Sequence, residues 1–561
     1  MKDAATISKI ALPNGFLWRL AVIVVALLSA LPILTVLWAL SSGGGNTVAY
    51  LRETVAPLYA VNTLALMALV GFIAAAIGVA TAWIVTAMSF PGRQILSWML
   101  PLPLAAPAYI IAYLYTDLLE FSGPLQTALR NATGWGQGDY WFPAVRSLPG
   151  AATMLGLVLY PYVYLLARAS FAAQSRSQFQ AARTLGASPV RAFFQVALPG
   201  ARPAIAGGLA LVLMETLADF GVADYFAIPT FSTGIFRTWL AMGDRTTAMQ
   251  LAGTMLLFVF VLVGAEALSR KGDVSSYDRM LSAPPPFVLS FAGTIIAITV
   301  CSIPIILGFV APVIVLTYLA ISAGAFESIA SLAEYAGNSL KAAGLTSLVA
   351  VTLAMFLVYA QRELTTRRKA TGSSVDQLGI QAAIRVATLG YALPGALLAV
   401  GLLAPLGALD ISITQFARNT FGFDGGLLLS GTLALLIYAL TVRFLTVSFN
   451  GVSGGLEKIP RAIDEAARSL GANRVRLFRD IHMPLVAPSA LAAAALVFID
   501  VMRELPATLI LRPFNFETLA TRVYRLASDE RLTEASSAAL VIIVFGVLPV
   551  ALIQLRSHKD A

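Results

Sequence analysis

Apolar residues along this chain gather into blocks of roughly 20, the number a helix needs to cross a hydrocarbon core of about 30 Å. Polar stretches separate the blocks. The pattern predicts spans at 17–40, 59–88, 100–120, 148–170, 203–223 and 248–268, a hydrophilic joint containing Pro284, Pro285 and Pro286, and further spans at 289–320, 337–360, 382–407, 425–447, 489–511 and 534–555. Twelve helices put both termini on one side, so the expected fold class is an all-α polytopic membrane protein. The first block follows Lys2, Lys9 and Arg19 and runs too long for a signal peptide, which makes it a retained span.

Composition removes the soluble alternative. The chain is 58% hydrophobic and 12% charged, against roughly 45–50% and about 25% in an ordinary soluble domain. One cysteine, Cys301, and two histidines, His482 and His558, exclude an internal disulfide framework and a zinc site of the usual kind. Cys301 reads as a core residue and His482 as a loop residue. The net charge of +9 raises the question of nucleic acid. About two thirds of the Lys and Arg fall in the segments that the twelve-span count places on the terminal side, 443–479 among them. The positive-inside rule explains that excess by topology, with both termini cytoplasmic, and no nucleic-acid partner is expected.

The chain also repeats itself. At an offset of 285, residues 180–203 and 465–488 share 11 of 24 identities, including Gly186 with Gly471 and Pro199 with Pro484. Beyond this stretch, Glu215, Asp219 and Arg237 fall on Asp500, Glu504 and Arg522. The expected organisation is a first half at 1–270, a cytoplasmic linker at 271–288 and a second half at 289–561, six spans in each. The halves share one orientation, related by a pseudo-two-fold axis along the membrane normal. Asn62 and Asn338 match at an offset of 276 and are expected to bond between helices.

The repeated loop has a readable plan. Pro460 can start a helix, Asp464 and Glu465 suit its positive end, Ala466, Ala467 and Leu470 give an apolar face, and Gly471 ends it. Asn473 then suits the cap of a second short helix with Val475, Leu477, Phe478 and Ile481, closed by Pro484. Glu465-Ala466-Ala467, three residues, Gly471, nine residues and Ile481-x-Met483-Pro484 resemble the signature loop of permease subunits of bacterial ABC importers. Gln180 replaces the motif's glutamate in the first half and Met483 its usual leucine in the second. The fused layout, with Met214 to Gly221 and Arg503 to Thr508, resembles the ferric-iron permease branch; thiamine and other permeases share the plan.

That resemblance implies a type I importer fold in which the loops at 172–203 and 456–488 are coupling helices for two copies of an ATPase subunit. Gln180, Ala181, Ala182, Gly186 and Phe193, and Glu465, Ala466, Ala467, Gly471 and Phe478, are the expected contacts. It also implies a substrate-binding protein, docking near 225–246 and 512–533, and a bacterial inner membrane. No lysine directly follows a glycine, so the chain has no phosphate-cradling loop. ATP and its Mg belong to the partners, and no cofactor is expected on this chain.

For the translocation path, Glu215 and Asp219, like Asp500 and Glu504, are spaced to share a helix face. Intramembrane acids are functional candidates by default, and carboxylate oxygens suit a hard cation such as Fe(III). The residues therefore predict either a transient Fe(III) path with no resting metal, or a gate in which Arg503 pairs with Asp500 or with acids of the other half. Asp224, Tyr225 and Tyr524 are further possible oxygen ligands. A secondary transporter has acids and repeats too, but no use for two glycine elbows; thiamine or polyamine import remains open.

Overall fold

A computed structural model describes residues 16–41, 53–136, 138–174, 184, 186, 188–269, 287–322, 329–371, 375–422 and 427–557. In the first half the helices are α1 (Phe16–Ser41), α2 (Ala56–Ala87), α3 (Arg93–Met99), α4 (Ala108–Leu119), α5 (Pro124–Thr133), α6 (Leu148–Ala173), α7 (Val190–Ala218), α8 (Gly221–Tyr225), α9 (Phe231–Phe236) and α10 (Arg245–Ser269). The second half has α11 (Phe291–Ser322), α12 (Ile329–Thr371), α13 (Val375–Ala387), α14 (Gly395–Phe421), α15 (Leu433–Glu457), α16 (Arg461–Ser469), α17 (Val475–Met502), α18 (Pro506–Leu511), α19 (Leu519–Ser528) and α20 (Leu532–Ser557). Among the described residues ten helices are long and apolar enough to cross a membrane, or eleven if the pair α3 with α4 and α5, bent by 91°, is one span. The twelfth predicted span falls on α20, 26 residues long.

Hydropathy located the spans but not their breaks. The predicted span at 203–223 begins earlier and stops at Ala218; the one at 489–511 begins at Val475 and stops at Met502. Pro484 therefore closes no second short helix: Arg474–Leu477 runs through a π turn at Phe478–His482 straight into the span. The first half repeats this with a π turn at Phe193–Ala197. In both, the wide turn comes just before a proline that has no N–H to donate, so the helix survives. The predicted spans at 100–120 and 382–407 are broken at Pro107 and Pro394, which head α4 and α14.

The first span of each half packs on the other half. Thr35 Oγ1 donates to the Gly401 carbonyl (2.6 Å) and Tyr438 to that of Leu28 (2.6 Å). In return, Tyr115 donates to Leu307 O (2.6 Å). A two-stranded parallel ladder, Met88–Ser89 with Phe287–Val288, joins the end of α2 to the start of the second half. The rest of the predicted linker, 271–286, lies outside the described residues.

On the side away from the elbows, matched clamps hold α9 and α19. Thr230 with Thr233, and Thr518 with Thr521, form reciprocal capping boxes. Asn62 donates to Pro229 O (3.1 Å) and Asn338 to Glu517 O (3.1 Å), so the pair ties α2 and α12 to the loops just before α9 and α19 and not, as expected, helix to helix. The capping boxes sit 288 residues apart, so Arg237 matches Arg525 and not Arg522: the stretch from the start of α18 to the start of α19 is three residues longer than that from α8 to α9.

Candidate functional site

Four helices begin around one cavity of about 110 Å³, lined by Ala106 to Tyr109, Ala218 to Gly221 and Glu504 to Pro506. These are the breaks that precede α4, α8 and α18. The fourth break lies beside them, since a Cβ on Gly395 would stand 2.7 Å from Arg443 Nη1 and 2.8 Å from Glu504 Oε1. A fresh helix start has amides with no partner within the helix, and two of the predicted acids satisfy them. Asp219 Oδ2 accepts from the amides of Val222 and Ala223, both at 3.1 Å. Glu504 accepts from Ala507 N (2.8 Å), Thr508 N (3.0 Å) and Thr508 Oγ1 (2.6 Å).

The expected shared helix faces are therefore wrong in detail. Asp219 and Glu504 lie past the ends of α7 and α17, so neither is on the helix that carries Glu215 or Asp500. All four acids nevertheless line the cavity. Among the described residues no three His, Cys, Asp or Glu side chains are grouped to hold a metal ion.

Two arginines divide the site unevenly. Arg503 pairs with Asp500 of its own half and reaches into the first half, donating to Leu104 O (2.6 Å) and Tyr162 Oη (3.2 Å). Among the described residues it makes no ion pair with the first half's acids; its bridge across the halves is made of a carbonyl and a phenol. Arg443 holds Glu504 at 3.2 Å, and both are buried, at 6% and 5% exposure. Counting Arg443 among the cytoplasmic charges was an error: it sits inside α15, in the core. An arginine in the run Ile437 to Phe449 was the available signal.

In the 285-residue register, which the caps Ser147 and Thr432 preserve, the first half has Val158 where the second has Arg443, and Ala218 where it has Arg503. The second half's acids are each matched by a guanidinium and the first half's are not. Glu215 makes no hydrogen bond or ion pair among the described residues, and Tyr109, also lining the cavity, has a buried hydroxyl without a hydrogen-bond partner. Toward the end away from the elbows, Tyr524 donates to Asp224 across the halves at 2.7 Å; Tyr225 stacks edge-on with Tyr113.

At the other end, α16 is bolted to the membrane helices. Arg362 of α12 donates to both oxygens of Asp464 (2.8 and 2.9 Å) and to the carbonyls of Leu456 and Ile459 (2.8 and 3.1 Å). His482 Nε2 joins Asp464 at 2.8 Å. Buried at 2% exposure in the π turn, His482 is a latch and not a loop residue. Sequence reasoning missed Arg362 because its partner lies 102 residues on. Gly471 takes φ +80° and Gly186 φ +75°. Ala467 and Leu477 face inward and Phe478 packs on Tyr359, while Glu465, Ala466, Leu470 and Val475 are exposed. The outward ridge is thus narrower than expected. Gln180, Ala181 and Ala182 lie outside the described residues; Phe193, half-buried, meets Trp83 and Phe171.

Burial would raise the Asp464 carboxyl, but the hydrogen bonds and charges of Arg362 and His482 outweigh it and hold the group below its ordinary value of 3.8. A depressed carboxylate adds stability that is full above the unfolded value and lost as pH falls through the folded one. Asp464→Ala is expected to cost roughly 3 kcal/mol or more at about pH 7, because it leaves Arg362 buried without its carboxylate. Thermal unfolding of the purified chain should show the gap from wild type closing below pH 3.8. A gap constant with pH would reject this linkage.

Comparison with known proteins agrees with this architecture. A family model described as "Binding-protein-dependent transport system inner membrane component" matches residues 69–267 and again 380–559. The chain is 26% identical over 504 residues to the Fe(3+)-transport system permease protein FbpB 2 of Haemophilus influenzae, covering 89% of this chain and 90% of that one. It is 23% identical to the putative ferric transport system permease protein FbpB 1 of the same organism, over 83% and 71% of the two chains. The molybdenum transport system permease protein ModB of that organism matches at 30% over 145 residues, 26% of this chain and 60% of its own. With two matches that cover about two thirds of its length, this all-α, multi-pass inner-membrane chain belongs to the family of binding-protein-dependent transport system inner membrane components.

Proposed function

We propose that the chain is the fused permease of an ATP-driven importer that moves ferric iron, delivered by a binding protein, into the cytoplasm by alternating access. The observation that carries the iron reading is the first half's acid pair: Glu215 and Asp219 line the cavity without an ion pair among the described residues, as suits a cationic cargo. Similarity along nearly the whole length to a Fe(3+)-transport permease supports it. The cargo contact is proposed at Glu215 and at Asp219 Oδ1, with Asp500 and Glu504 held by Arg503 and Arg443 as part of the gate. The elbows seat two ATPase copies, which bind ATP and Mg; both termini are cytoplasmic, and the loops near 225–246 and 512–533 receive the binding protein. The permease itself uses no cofactor.

Mechanically, ATP binding draws the elbows together and turns the halves. The contact of Arg503 with Leu104 and Tyr162 then breaks and the cavity opens outward. Uptake of radiolabelled ferric iron by proteoliposomes holding the chain, its ATPase and its binding protein tests the reading. Glu215→Gln is expected to lower uptake about ten-fold or more, about 1.4 kcal/mol of lost cargo stabilisation, with stimulated ATP hydrolysis retained. Stimulated hydrolysis without iron uptake in the wild type would overturn the iron reading and point to another small cation.

A further inference from the structure

The bolt on α16 gathers four helices at one point. Arg362 comes from α12, Asp464 from α16 and His482 from α17, and Arg362 also holds the Leu456 carbonyl in the last turn of α15. The Arg362 and Asp464 side chains are only 9% and 5% exposed. Two of these helices lead to the gate. α15 carries Arg443, and α17 runs 28 residues, about 42 Å at 1.5 Å per residue, from Val475 to Met502, just before Arg503. A push on α16 therefore reaches both gate arginines, through buried charge-assisted hydrogen bonds at one end and continuous helix along the rest.

The first half lacks this bolt. Phe193 and Phe478, matched at the 285 offset, pack on Trp83 (5.4 Å) and Tyr359 (5.0 Å), which match at the 276 offset of Asn62 and Asn338. In these registers Arg362, Asp464 and His482 fall on Thr86, Phe179 and Ala197. A threonine, a phenylalanine and an alanine cannot form a charged bolt. α2 also ends at Ala87, one residue past Thr86, whereas α12 continues beyond Arg362 to Thr371. At the far end of the rod, Ala218 stands where the second half has Arg503.

We infer that the two halves couple unequally: the second elbow drives the gate, with Arg362, Asp464 and His482 as its positioning residues, and the first half follows. The inference rests on the ATP-driven reading but not on the identity of the cargo. When nucleotide draws α16 inward, the bolt makes α12, α15, α16 and α17 turn together, and Arg503 withdraws from Leu104 and Tyr162. Seating of the ATPase does not need the bolt, because the exposed Glu465, Ala466 and Leu470 are not part of it.

Pulsed electron–electron resonance on the complex with its ATPase, in lipid nanodiscs, tests this. Spin labels at Ala128→Cys and Asp529→Cys, exposed positions in opposite halves, report opening in a Cys301→Ala chain. A non-hydrolysable ATP analogue with the binding protein is expected to shift the labels to a longer distance. Arg362→Met with Asp464→Leu leaves no buried charge without a partner. It is expected to cut the long-distance population about ten-fold, while two ATPase copies still co-purify. Gly471→Pro should abolish the shift and Gly186→Pro should keep most of it. Both glycines take positive φ with no described neighbour within 4 Å of a built Cβ, so the two lesions are locally alike. A full shift without the bolt, equal loss from the two prolines, or loss of the ATPase together with the bolt overturns the driver. Absence of stimulated ATP hydrolysis in the parent chain removes the ATP-driven reading, and the driver with it.

Discussion

Proline at position 471 is expected to reduce ATP-coupled uptake to background while the chain still inserts and purifies normally. Gly471 sits at φ +80°, and proline holds φ near −65°. Its amide also closes the end of α16 by donating to Arg468 O (3.0 Å), followed by Ala472 N to Ala467 O (3.0 Å); proline has no amide hydrogen to give. No neighbouring atom lies within 4 Å of a Cβ built there. The damage is therefore to the elbow's direction and not to packing, and the spans on either side are untouched. Gly471→Ala separates the two causes, since it strains the left-handed position by roughly 1–2 kcal/mol but keeps the N–H. It should couple partially. Uptake, stimulated ATP hydrolysis and membrane yield should be read together; full coupling in Gly471→Pro would reject the proposed elbow contact.

The second large effect is on stability. Arg443→Ala is expected to destabilise the chain by about 3–5 kcal/mol, the usual cost of leaving a buried charge without its partner. Glu504 would keep its amide and hydroxyl bonds at the head of α18 but face the core alone. Adding Glu504→Gln to Arg443→Ala should recover part of the loss, because the amide oxygen still accepts at the helix start and no charge remains. Thermal unfolding of the three variants in detergent makes the comparison. A single-variant loss under about 1 kcal/mol would place the pair in the class of solvated ion pairs.

The contrast between these residues shows where sequence reading succeeded. The elbow glycine was legible because two copies at one offset mark a backbone demand that a single copy does not. The four acids were legible as ionisable groups in apolar surroundings. Their roles were not. Four-residue spacing placed Asp219 with Glu215 on one face only as long as the helix continued, and a hydropathy average does not register that it ends at Ala218. Arg443 was misplaced because the segment counted as cytoplasmic, 443–479, overlaps the end of the span predicted at 425–447, which turns a buried arginine into a loop charge. Arg362 and Asp464 meet from a sequence separation that no local pattern connects.

What the sequence determined by itself was the solvent and the symmetry. Apolar blocks of bilayer length leave the backbone no choice but helices, and a repeated motif at a fixed offset forces two like folds in one orientation. The tertiary structure decided which charges are compensated. Val158 and Ala218 against Arg443 and Arg503 become a difference in the cavity only when four broken helices bring those positions together. Compensation depends on the distance between side chains, and that distance is set by packing.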